Sequence, residues 1–569
     1  MWSLYKNGEF LEPLSFSNGK TQEDIVKEVL DAVKEGHKII FIHGVCGTGK
    51  SAIALNIAKE IGKASIVVPG KSLQNQYKKD YENDKYLLGK NNNKLKISVI
   101  TGRINHECPF LKERKIPKIK KEINATLDIF DNEDKKQDFE NSDIKLSADV
   151  YDLPCKIEIK EKNWKKIKEY LKQNPKIDLS KFSDVKDVTR ASIARVCKYW
   201  SPVVPKEYEL KFFPDSRKKT YQGLKNTEFV IHQGKPGCTF YEQFNSYLDS
   251  DIIVFNSAKY LLESSLNRKP LTEVEIIDEC DVFLDNFSNQ KTINLDRLQK
   301  SLIYAVGFGE EFDDCIKELS AALKDIKKDE KIKKAAESEE IILLKDTKVY
   351  DILKIILNNP EFLSQIDDES YLIEVEEAAK IFEELLDEAY VCFKKRDNSL
   401  FVSIVTTNLA KRFKELADNN KILILMSGTL HSEYILKNIF GIEKFKIIQA
   451  ETEFPGKIEI IRTGLEKDCR YANFSNNKVS RKEYLTALNK CVETSKKPAL
   501  VHINAFSDLP SEREAKEYQI KSLITREELK NLQKNHEKTI EDFKSGKIDV
   551  LFQQKLQEGL IFLERNAEA

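Results

Sequence analysis

A glycine-rich turn between an apolar run and a helical pattern is the feature that most constrains this chain. Residues Gly44–Ser51 match the pattern G-x-x-x-x-G-K-[ST]. The apolar run 38–43 before the turn predicts a buried strand, and 51–62 after it predicts a helix. The backbone N–H groups of such a loop and the positive end of the helix favour phosphate. The sequence therefore predicts a phosphate-binding loop.

The side chains of this loop predict the ligand as well. Lys50 would reach the β- and γ-phosphates of a nucleotide, and the Ser51 hydroxyl would bind Mg²⁺. We therefore expect ATP and Mg²⁺ as cofactors, held by the loop residues Gly44, Gly47, Thr48, Gly49, Lys50 and Ser51.

Two acidic residues follow another apolar strand, predicted over 274–279. Asp278 is expected to hold Mg²⁺, and Glu279 to polarise the attacking water as a general base. Ser427–Thr429 ends a further buried strand, predicted over 422–427. Ligands of open parallel sheets bind at the carboxyl ends of the strands, so these groups and Lys50 should share one catalytic site.

The predicted fold class is α/β, with a parallel sheet. Further apolar strands are expected over 64–69, 96–101 and 251–256, and helical patterns alternate with them. Two regions interrupt the series: a lysine-rich, irregular region over 106–240 and charged helices over 290–400. A second α/β segment begins late, with strands expected over 498–504 and 548–553.

Composition narrows the class of protein. Lys+Arg and Asp+Glu both number 93, so any DNA binding must come from local basic patches. No run approaches the ~18 apolar residues of a membrane span, and the first residues have no signal-peptide pattern. We expect a cytoplasmic protein without a membrane partner. In that reducing compartment the ten cysteines favour metal, cluster or core roles over disulfides.

Four cysteines lie between the phosphate loop and the acidic pair, apart from Cys46 within the loop itself. Thiolates suit a [4Fe–4S] cluster, but four of them also suit tetrahedral Zn²⁺. Their long spacings alone favour buried or free thiols over metal ligands. The four candidates are Cys108, Cys155, Cys197 and Cys238.

The order of these motifs resembles that of superfamily 2 helicases. The phosphate loop matches motif I, Asp278–Asp281 occupies the DEAH position, and Ser427–Thr429 occupies the S-A-T position. The resemblance implies that Gln22 reads the adenine ring. It also implies that 69–76 is motif Ia, which grips the DNA backbone.

One branch fits best, the XPD/DinG-like iron–sulfur DNA helicases of the archaeal type. Segment 101–109 resembles their G-R-x-N-Y-x-C, and segments 237–241 and 249–257 resemble their C-P-Y-Y and A-D-I-V-V-x-N-H. The resemblance implies a [4Fe–4S] cluster on the four cysteines and 5′→3′ translocation on single-stranded DNA, with forks as substrates. Protein partners are not indicated.

The resemblance also implies a domain plan with two RecA-like motor domains. Motor domain 1 is expected over 1–105, 241–290 and 403–450, interrupted by an iron–sulfur domain over 106–240 and a helical arch over 291–402. Motor domain 2 is expected over 451–569.

Two residues depart from the family pattern, and two further segments have more than one interpretation. Asp281 replaces the family's His, so the coupling of ATP to DNA should run differently, and Gly428 replaces Ala. Residues 195–200 interleave cations with Tyr199 and Trp200, which could stack on bases or pack the small domain. The lysine-rich segment 115–122 reads as a solvated face or a DNA contact.

The tail after Phe552 contains neither motif V nor motif VI. Back-translation of this tail with free synonymous codons, read in a shifted frame, encodes S-T-K-T-A-R-G-V-D-F-P-G, a good motif V. We therefore expect a frameshift near residue 553 that truncates motor domain 2; the alternative is a divergent short C-terminus.

Three functions are compatible with these patterns. The leading one is an ATP-dependent DNA helicase that unwinds duplexes. The second is an ATP- and DNA-binding protein without unwinding activity, because motif VI is missing. The third is an unrelated P-loop NTPase with a zinc-binding insert.

Overall fold

A parallel β-sheet of seven strands forms the centre of the structure. The computed structural model describes residues 2–45, 47–113, 146–208, 216–285, 287, 290–305, 312–365, 370–396, 399–451, 459–460, 462, 464–534 and 536–554. The strands of the sheet are β1 (Ile39–His43), β2 (Ala64–Val68), β3 (Ile97–Val99), β4 (Ile252–Asn256), β5 (Val274–Asp278), β6 (Leu423–Ser427) and β7 (Lys446–Gln449).

The strand order confirms the predicted parallel α/β fold. The spatial order is β7-β1-β6-β5-β2-β4-β3, and all neighbouring pairs are parallel. Every residue of β2, β5 and β6 is buried, as expected of a parallel strand that is covered on both faces. Strand β7 was not predicted, because its four residues Lys446–Gln449 are flanked by charged residues and lack a long apolar run.

Helices alternate with these strands. Those used below are α1 (Gln22–Lys34), α2 (Lys50–Ile61), α3 (Lys71–Tyr77), α4 (Ser257–Ser265), α5 (Tyr371–Phe382) and α6 (Leu409–Asp418). A capping box starts α1: the Thr21 side chain accepts from the Asp24 N–H, and the Asp24 carboxylate accepts from the Thr21 N–H. A short antiparallel sheet, in the order Glu9–Phe10, Tyr5–Lys6 and Lys85–Tyr86, flanks this region.

The cysteine-containing region is inserted between β3 and β4. It contains an antiparallel sheet in the order Val203–Pro205, Glu228–Gln233 and Arg217–Gln222. Its α-helices are Pro109–Glu113, Trp164–Gln173, Arg190–Ala194, Thr239–Glu242 and Ser246–Asp249. The four cysteines belong to the same hydrophobic core as residues of β2, β4 and β6, so this region and the central sheet share one core.

A second region is inserted between β5 and β6 and has its own core. Its α-helices are Leu295–Ala305, Asp313–Lys328, Glu330–Ser338, Lys348–Asn358, Pro360–Gln365 and α5, and Cys280–Asp285 precedes them. We predicted helices only, but an antiparallel sheet is also present, in the order Gln290–Asn294, Ser399–Val405, Tyr390–Arg396 and Ile341–Leu343. Apolar residues alternate along Ser399–Val405, which is a strand pattern within a mainly helical sequence.

The chain divides into two compact units. The first comprises 1–44, 48–69 and 74–451, and also contains the helix Glu433–Asn438. The second comprises 452–569 with two loop segments, 45–47 and 70–73. Its predicted strands are present as a parallel pair, Ala499–Ile503 and Val550–Gln554, with the helices Tyr471–Ser475, Arg481–Thr494, Glu512–Glu517, Arg526–Lys534 and His536–Lys544.

Two sequence predictions fall on residues outside the described part. The frameshift prediction concerns the tail after Phe552, of which 555–569 are not described. The lysine-rich segment 115–122 is likewise outside the described residues. Among the helices that are described, none is both long and apolar enough to cross a membrane.

Candidate functional site

The glycine-rich loop joins the end of β1 to the start of α2. Lys50 is the first residue of α2, and Gly49 before it adopts a left-handed conformation, with φ +70°. The positive φ favours glycine, and a Cβ atom here would lie 2.2 Å from the Gln22 Nε2 and displace that amide. Gly47, with φ +93°, supplies a second left-handed turn. The loop conformation therefore depends on its glycines.

Gln22 supports the backbone of this loop. Its Nε2 donates to the Thr48 carbonyl oxygen at 2.8 Å, and its Oε1 accepts from the Leu14 N–H at 2.9 Å. The side chain is only 2% exposed. The structure thus brings Gln22 to the loop, where its amide is already engaged by backbone groups.

Lys50 and Glu279 form an ion pair at the carboxyl edge of the sheet. The Lys50 Nζ lies 3.0 Å from the Glu279 Oε1 and donates to the Gly44 carbonyl oxygen at 3.2 Å. Lys50 is 8% exposed. Glu279 has φ +50°, an uncommon conformation for a side chain-bearing residue that is often found at functional sites. The predicted phosphate-binding lysine and the predicted general base are therefore in direct contact.

Asp278 lies beside this pair and is fully buried. Burial, together with repulsion from Glu279, raises the pKa of Asp278 to about 7, and the Lys50 ammonium opposes the rise. A carboxyl group with such a pKa can bind a cation at neutral pH, but protons compete with the cation for the carboxylate. Ser51 and Asp278 both lie close to the Tyr77 hydroxyl, at the end of α3.

Sequence reasoning did not identify Tyr77. Its side chain is fully buried, and its hydroxyl finds no hydrogen-bond partner within normal distance among the described residues. A seven-residue π-helix, Lys78–Asp84, follows it. Segments of π-helix are often found at functional sites. The only sequence signal was proximity to the segment that resembles motif Ia.

Asp281 connects the acidic motif with the Ser-Gly-Thr turn after β6. Its Oδ1 accepts from the Ser427 hydroxyl at 2.6 Å, and its Oδ2 accepts from the Thr429 hydroxyl. Ser427 also lies 3.3 Å from the Glu279 Oε2. The aspartate at the position where the related motif has histidine therefore bonds to this turn, and Ser427 of the turn contacts the general-base candidate.

The segment that resembles motif Ia is anchored to two neighbouring strands. Gln74 Nε2 donates to the Ile100 carbonyl oxygen at 2.6 Å, and Asn256 Nδ2 donates to Gln74 Oε1 at 3.2 Å. Asn256 ends β4 and also caps α4, accepting from the Lys259 N–H. These bonds fix the loops at the carboxyl ends of β2, β3 and β4.

The structure brings together the four cysteines that sequence reasoning selected. Cys108, Cys155, Cys197 and Cys238 are only 5–9% exposed. Burial raises the pKa of Cys197 well above its usual value, and the three other thiols add to the rise. Burial raises the pKa of Cys238 to about 11, with smaller contributions from Cys155 and Cys108. Four thiols separated by up to 130 positions along the chain thus lie near one another in a buried cluster.

Three of these thiols have the same local setting. Backbone N–H groups two or three residues after Cys108, Cys197 and Cys238 approach the sulfur atoms and lower their pKa values, against the effect of burial. Short helical turns that begin after each cysteine supply these groups. Such donors favour the thiolate, which is the form that binds metal.

Arg103 contacts the fourth thiol, that of Cys155. Its Nη1 lies 3.6 Å from the Cys155 Sγ, and its guanidinium lies 4.3 Å from the centre of the Phe240 ring. His106 connects the segments that carry Cys108 and Cys238, because it bonds to Thr101 at 2.8 Å and to Thr239 at 2.9 Å. Motif matching had included Arg103 and His106 without assigning these contacts.

A single ion and a cluster place different demands on four thiolates. A zinc ion holds its four sulfurs at ≈ 2.3 Å, whereas a [4Fe–4S] cluster is larger and keeps them farther apart. Across the described residues, no group of three or more His, Cys, Asp or Glu side chains is arranged to hold a single metal ion. Four soft, buried thiols are chemically suited either to tetrahedral Zn²⁺ or to a [4Fe–4S] cluster.

The aromatic residues near Cys197 are packing residues. Tyr199 and Trp200 are each 5% exposed and belong to the shared core. The Tyr199 hydroxyl donates to Glu113, and the Lys198 and Lys235 amines lie 5.4 and 5.5 Å from its ring centre. Of the two interpretations of this segment, the structure favours packing over base stacking.

Comparisons with known proteins found one family model and several solved structures that are similar to the chain. A family model described as the type III restriction enzyme res subunit matches residues 16–181. No match was found among curated protein sequences. Solved structures similar to the chain include an XPD helicase, with 14% identity over 86% of this chain and 72% of that one, and a TM-score of 0.38. An apo form of XPD has 12% identity over 95% of this chain and 81% of that one, and a TM-score of 0.38.

A structure described as a truncated XPD has 14% identity over 76% of this chain and 98% of that one, and a TM-score of 0.33. The motif evidence rests on this chain's own residues: the phosphate loop, the paired carboxylates and the Ser-Gly-Thr turn lie at one edge of a parallel sheet. The chain is thus similar to the res-subunit family over residues 16–181 and to these solved structures of XPD.

Proposed function

We propose that the protein is an ATP-dependent DNA helicase that translocates 5′→3′ on single-stranded DNA and unwinds duplexes at forks. One observation carries the proposal: Lys50, Asp278 and Glu279 lie together, and Ser427, which bonds to Asp281, also contacts Glu279. The proposed site for ATP hydrolysis is thereby joined by hydrogen bonds to the Ser-Gly-Thr turn after β6.

The chemistry follows from the arrangement of these side chains. Lys50 would exchange Glu279 for the nucleotide phosphates, while the glycine-rich loop supplies backbone donors. Ser51 and Asp278 would hold Mg²⁺, which neutralises charge on the phosphates. Glu279, released from Lys50, would accept a proton from the attacking water. Ser427 contacts both Glu279 and Asp281, so a movement of Glu279 would change the hydrogen bonds of the turn after β6.

DNA is proposed as the partner because exposed cations lie on the cysteine-containing region. The edge strand Arg217–Gln222 exposes Arg217, Lys218 and Lys219. Cations along an exposed strand can track a phosphate backbone. Lysines also protect strand edges from aggregation, so DNA contact at this strand requires a direct test.

Cys108, Cys155, Cys197 and Cys238 are proposed to hold a [4Fe–4S] cluster. The cluster would supply a rigid crosslink between four segments of the inserted region, and Arg103 would neutralise part of its charge. The support is the convergence of four buried thiols with backbone N–H donors directed at three of them. Zinc is the alternative metal.

DNA-stimulated ATP turnover and strand separation test the function. We expect turnover to rise on adding single-stranded DNA, and strands to separate from forks with a 5′ tail but not from those with only a 3′ tail. The variant Lys50→Ala is the inactive control. Stimulated turnover without strand separation on either fork would favour an ATP- and DNA-binding protein that does not unwind, and unstimulated turnover would favour an unrelated NTPase.

Absorbance and metal analysis test the cluster. Protein purified without oxygen should absorb in the visible range and contain iron and acid-labile sulfide in equal amounts. A colourless protein with one zinc per chain would overturn the cluster and leave the nucleotide site unaffected. A colourless protein without metal would overturn both.

A further inference from the structure

Tyr77 is a buried residue beside the nucleotide site to which the proposed reaction assigns no role. It is the last residue of α3, and its side chain is 0% exposed. Its hydroxyl has no hydrogen-bond partner among the described residues. Burial of an unpaired hydroxyl costs free energy, and a phenylalanine would fill the same space without that cost. The hydroxyl therefore calls for an explanation other than packing.

Contacts on both sides of Tyr77 fix its place in the fold. Helix α3 follows β2, which pairs with β5, so α3 starts next to the strand that ends at Asp278. Three residues before Tyr77, Gln74 bonds to the Ile100 carbonyl oxygen. Four residues after it, the buried Tyr81 ring lies 5.6 Å from the Tyr77 ring, measured between centres. The Tyr77 ring is therefore held by packing along the buried face of its segment.

The two candidate ligands of Mg²⁺ approach the Tyr77 hydroxyl. Ser51 follows Lys50 in α2, and Asp278 ends β5. Both side chains lie near the hydroxyl, although neither is within hydrogen-bonding distance of it. A hydroxyl and a carboxylate are the hard oxygen ligands that Mg²⁺ prefers. A buried polar atom without a partner thus lies beside the two side chains that are proposed to hold the ion.

The chemistry of these two ligands defines what a neighbouring phenol can do. A serine hydroxyl that binds a cation presents a lone pair to it, so its hydrogen atom must point to another acceptor. A carboxylate that binds a cation through one oxygen keeps the other oxygen available as an acceptor. A phenolic hydroxyl both accepts and donates, so a single tyrosine can serve both ligands.

We propose that Tyr77 is a positioning residue of the Mg²⁺ site, whose hydroxyl accepts from Ser51 and donates to Asp278. The inference rests on the proposed function, because it assumes that Ser51 and Asp278 hold Mg²⁺ when the nucleotide is bound. Tyr77 itself does not bind the ion. It keeps the hydrogen atom of Ser51 turned away from the ion and fixes one oxygen of Asp278. Hydrogen bonds to metal ligands commonly orient them in this way.

Nucleotide affinity with and without Mg²⁺ tests the proposal in the full chain. Isothermal titration with a non-hydrolysable ATP analogue gives one dissociation constant in Mg²⁺ and another in EDTA, and their ratio measures the contribution of the ion. We expect the parent chain to bind more tightly in Mg²⁺. In Tyr77→Phe this advantage should fall about tenfold, since groups that orient metal ligands contribute about 10–100-fold to metal affinity. The dissociation constant in EDTA should not change.

Tyr247→Phe is the matched control. Tyr247 is also 0% exposed, and its hydroxyl likewise has no partner among the residues that the structure describes. Its ring packs against those of Phe244 and Phe255, away from the glycine-rich loop in sequence. Each substitution removes an unpaired buried hydroxyl, so neither should lower the unfolding midpoint of the nucleotide-free chain. Only Tyr77→Phe should change the advantage that Mg²⁺ gives.

The possible failures are distinguishable. If Tyr77→Phe keeps the full advantage of Mg²⁺, the proposal is overturned, the hydroxyl is served by water alone, and the proposed function stands. An equal loss in Tyr247→Phe would overturn the proposal by assigning the effect to packing. A parent chain that binds the analogue equally well in Mg²⁺ and EDTA would also overturn it. A parent chain that binds the analogue in neither condition would contradict the proposed nucleotide site, and the inference with it.

Discussion

The nucleotide site and the four-cysteine site are built in opposite ways. The nucleotide site uses short segments at the ends of adjacent parallel strands, and most of its chemistry lies in Gly44–Ser51 and Asp278–Asp281. The cysteine site draws single residues from four segments between positions 108 and 238. The first is encoded by local motifs, whereas the second exists only once its region has folded, although the two share one hydrophobic core.

Removing the general base should have the largest effect. Glu279→Gln should lower the rate of ATP turnover by about 10²–10⁴-fold, because the amide cannot accept the proton of the attacking water. ATP binding, measured by titration with a fluorescent analogue, should persist, since the Lys50 ammonium is freed from its ion pair. Lys34→Ala, on the exposed end of α1, is the control. Turnover within threefold of the parent chain would remove Glu279 from the mechanism.

Removing one of the four thiols should affect the cysteine site and leave the nucleotide site largely unchanged. Cys197→Ser should abolish the visible absorbance and lower the unfolding midpoint, because the shared core loses its proposed crosslink. Nucleotide affinity should change little, since none of the four cysteines is part of the glycine-rich loop. Cys315→Ser, a buried cysteine of the inserted helical region, controls for the loss of a thiol as such. Full colour in Cys197→Ser would contradict the four-thiol assignment.

Asp281 tests how the nucleotide site communicates with the rest of the motor. Asp281→Asn loses the acceptor of at least one hydroxyl from Ser427 or Thr429, and a hydrogen bond to a charged group contributes about 1.5–3 kcal/mol. We expect stimulation of ATP turnover by DNA to fall about tenfold, while turnover without DNA changes less. An equal loss with and without DNA would make Asp281 a residue of the hydrolysis step alone.

The smallest expected effect concerns pH. Because burial and Glu279 raise the pKa of Asp278 to about 7, protons compete with Mg²⁺ for this carboxylate below that pH. The Mg²⁺ concentration that gives half-maximal turnover should therefore increase as the pH falls from 8 to 6. A requirement for Mg²⁺ that is constant over this range would show that the bound ion keeps Asp278 ionised throughout.

Sequence reasoning reached the motifs but not the contacts between them. Apolar runs before Gly44 and Asp278 predicted buried parallel strands correctly, because burial on both faces imposes continuous apolar sequence. The strands at Tyr390–Arg396 and Ser399–Val405 were missed within a region of helical charge patterns. Tyr77 could not be found from its sequence, because only the folded chain brings its hydroxyl beside Asp278.

The cysteines illustrate the same limit. Their spacing resembled no compact metal motif, and only the flanking resemblance at Cys108 and Cys238 selected them. The role of Arg103 beside Cys155 depends on a contact across 52 positions of the chain. Tertiary contacts of this kind leave no periodic pattern in the sequence.

The ion pair between Lys50 and Glu279 sets an order of events for the proposed reaction. While Lys50 holds it, Glu279 is occupied by a cation and is a poor proton acceptor. Arrival of the nucleotide phosphates would draw Lys50 away, so the substrate itself would release the base that activates the attacking water. Glu279 would therefore become able to accept a proton from water only after the nucleotide has bound.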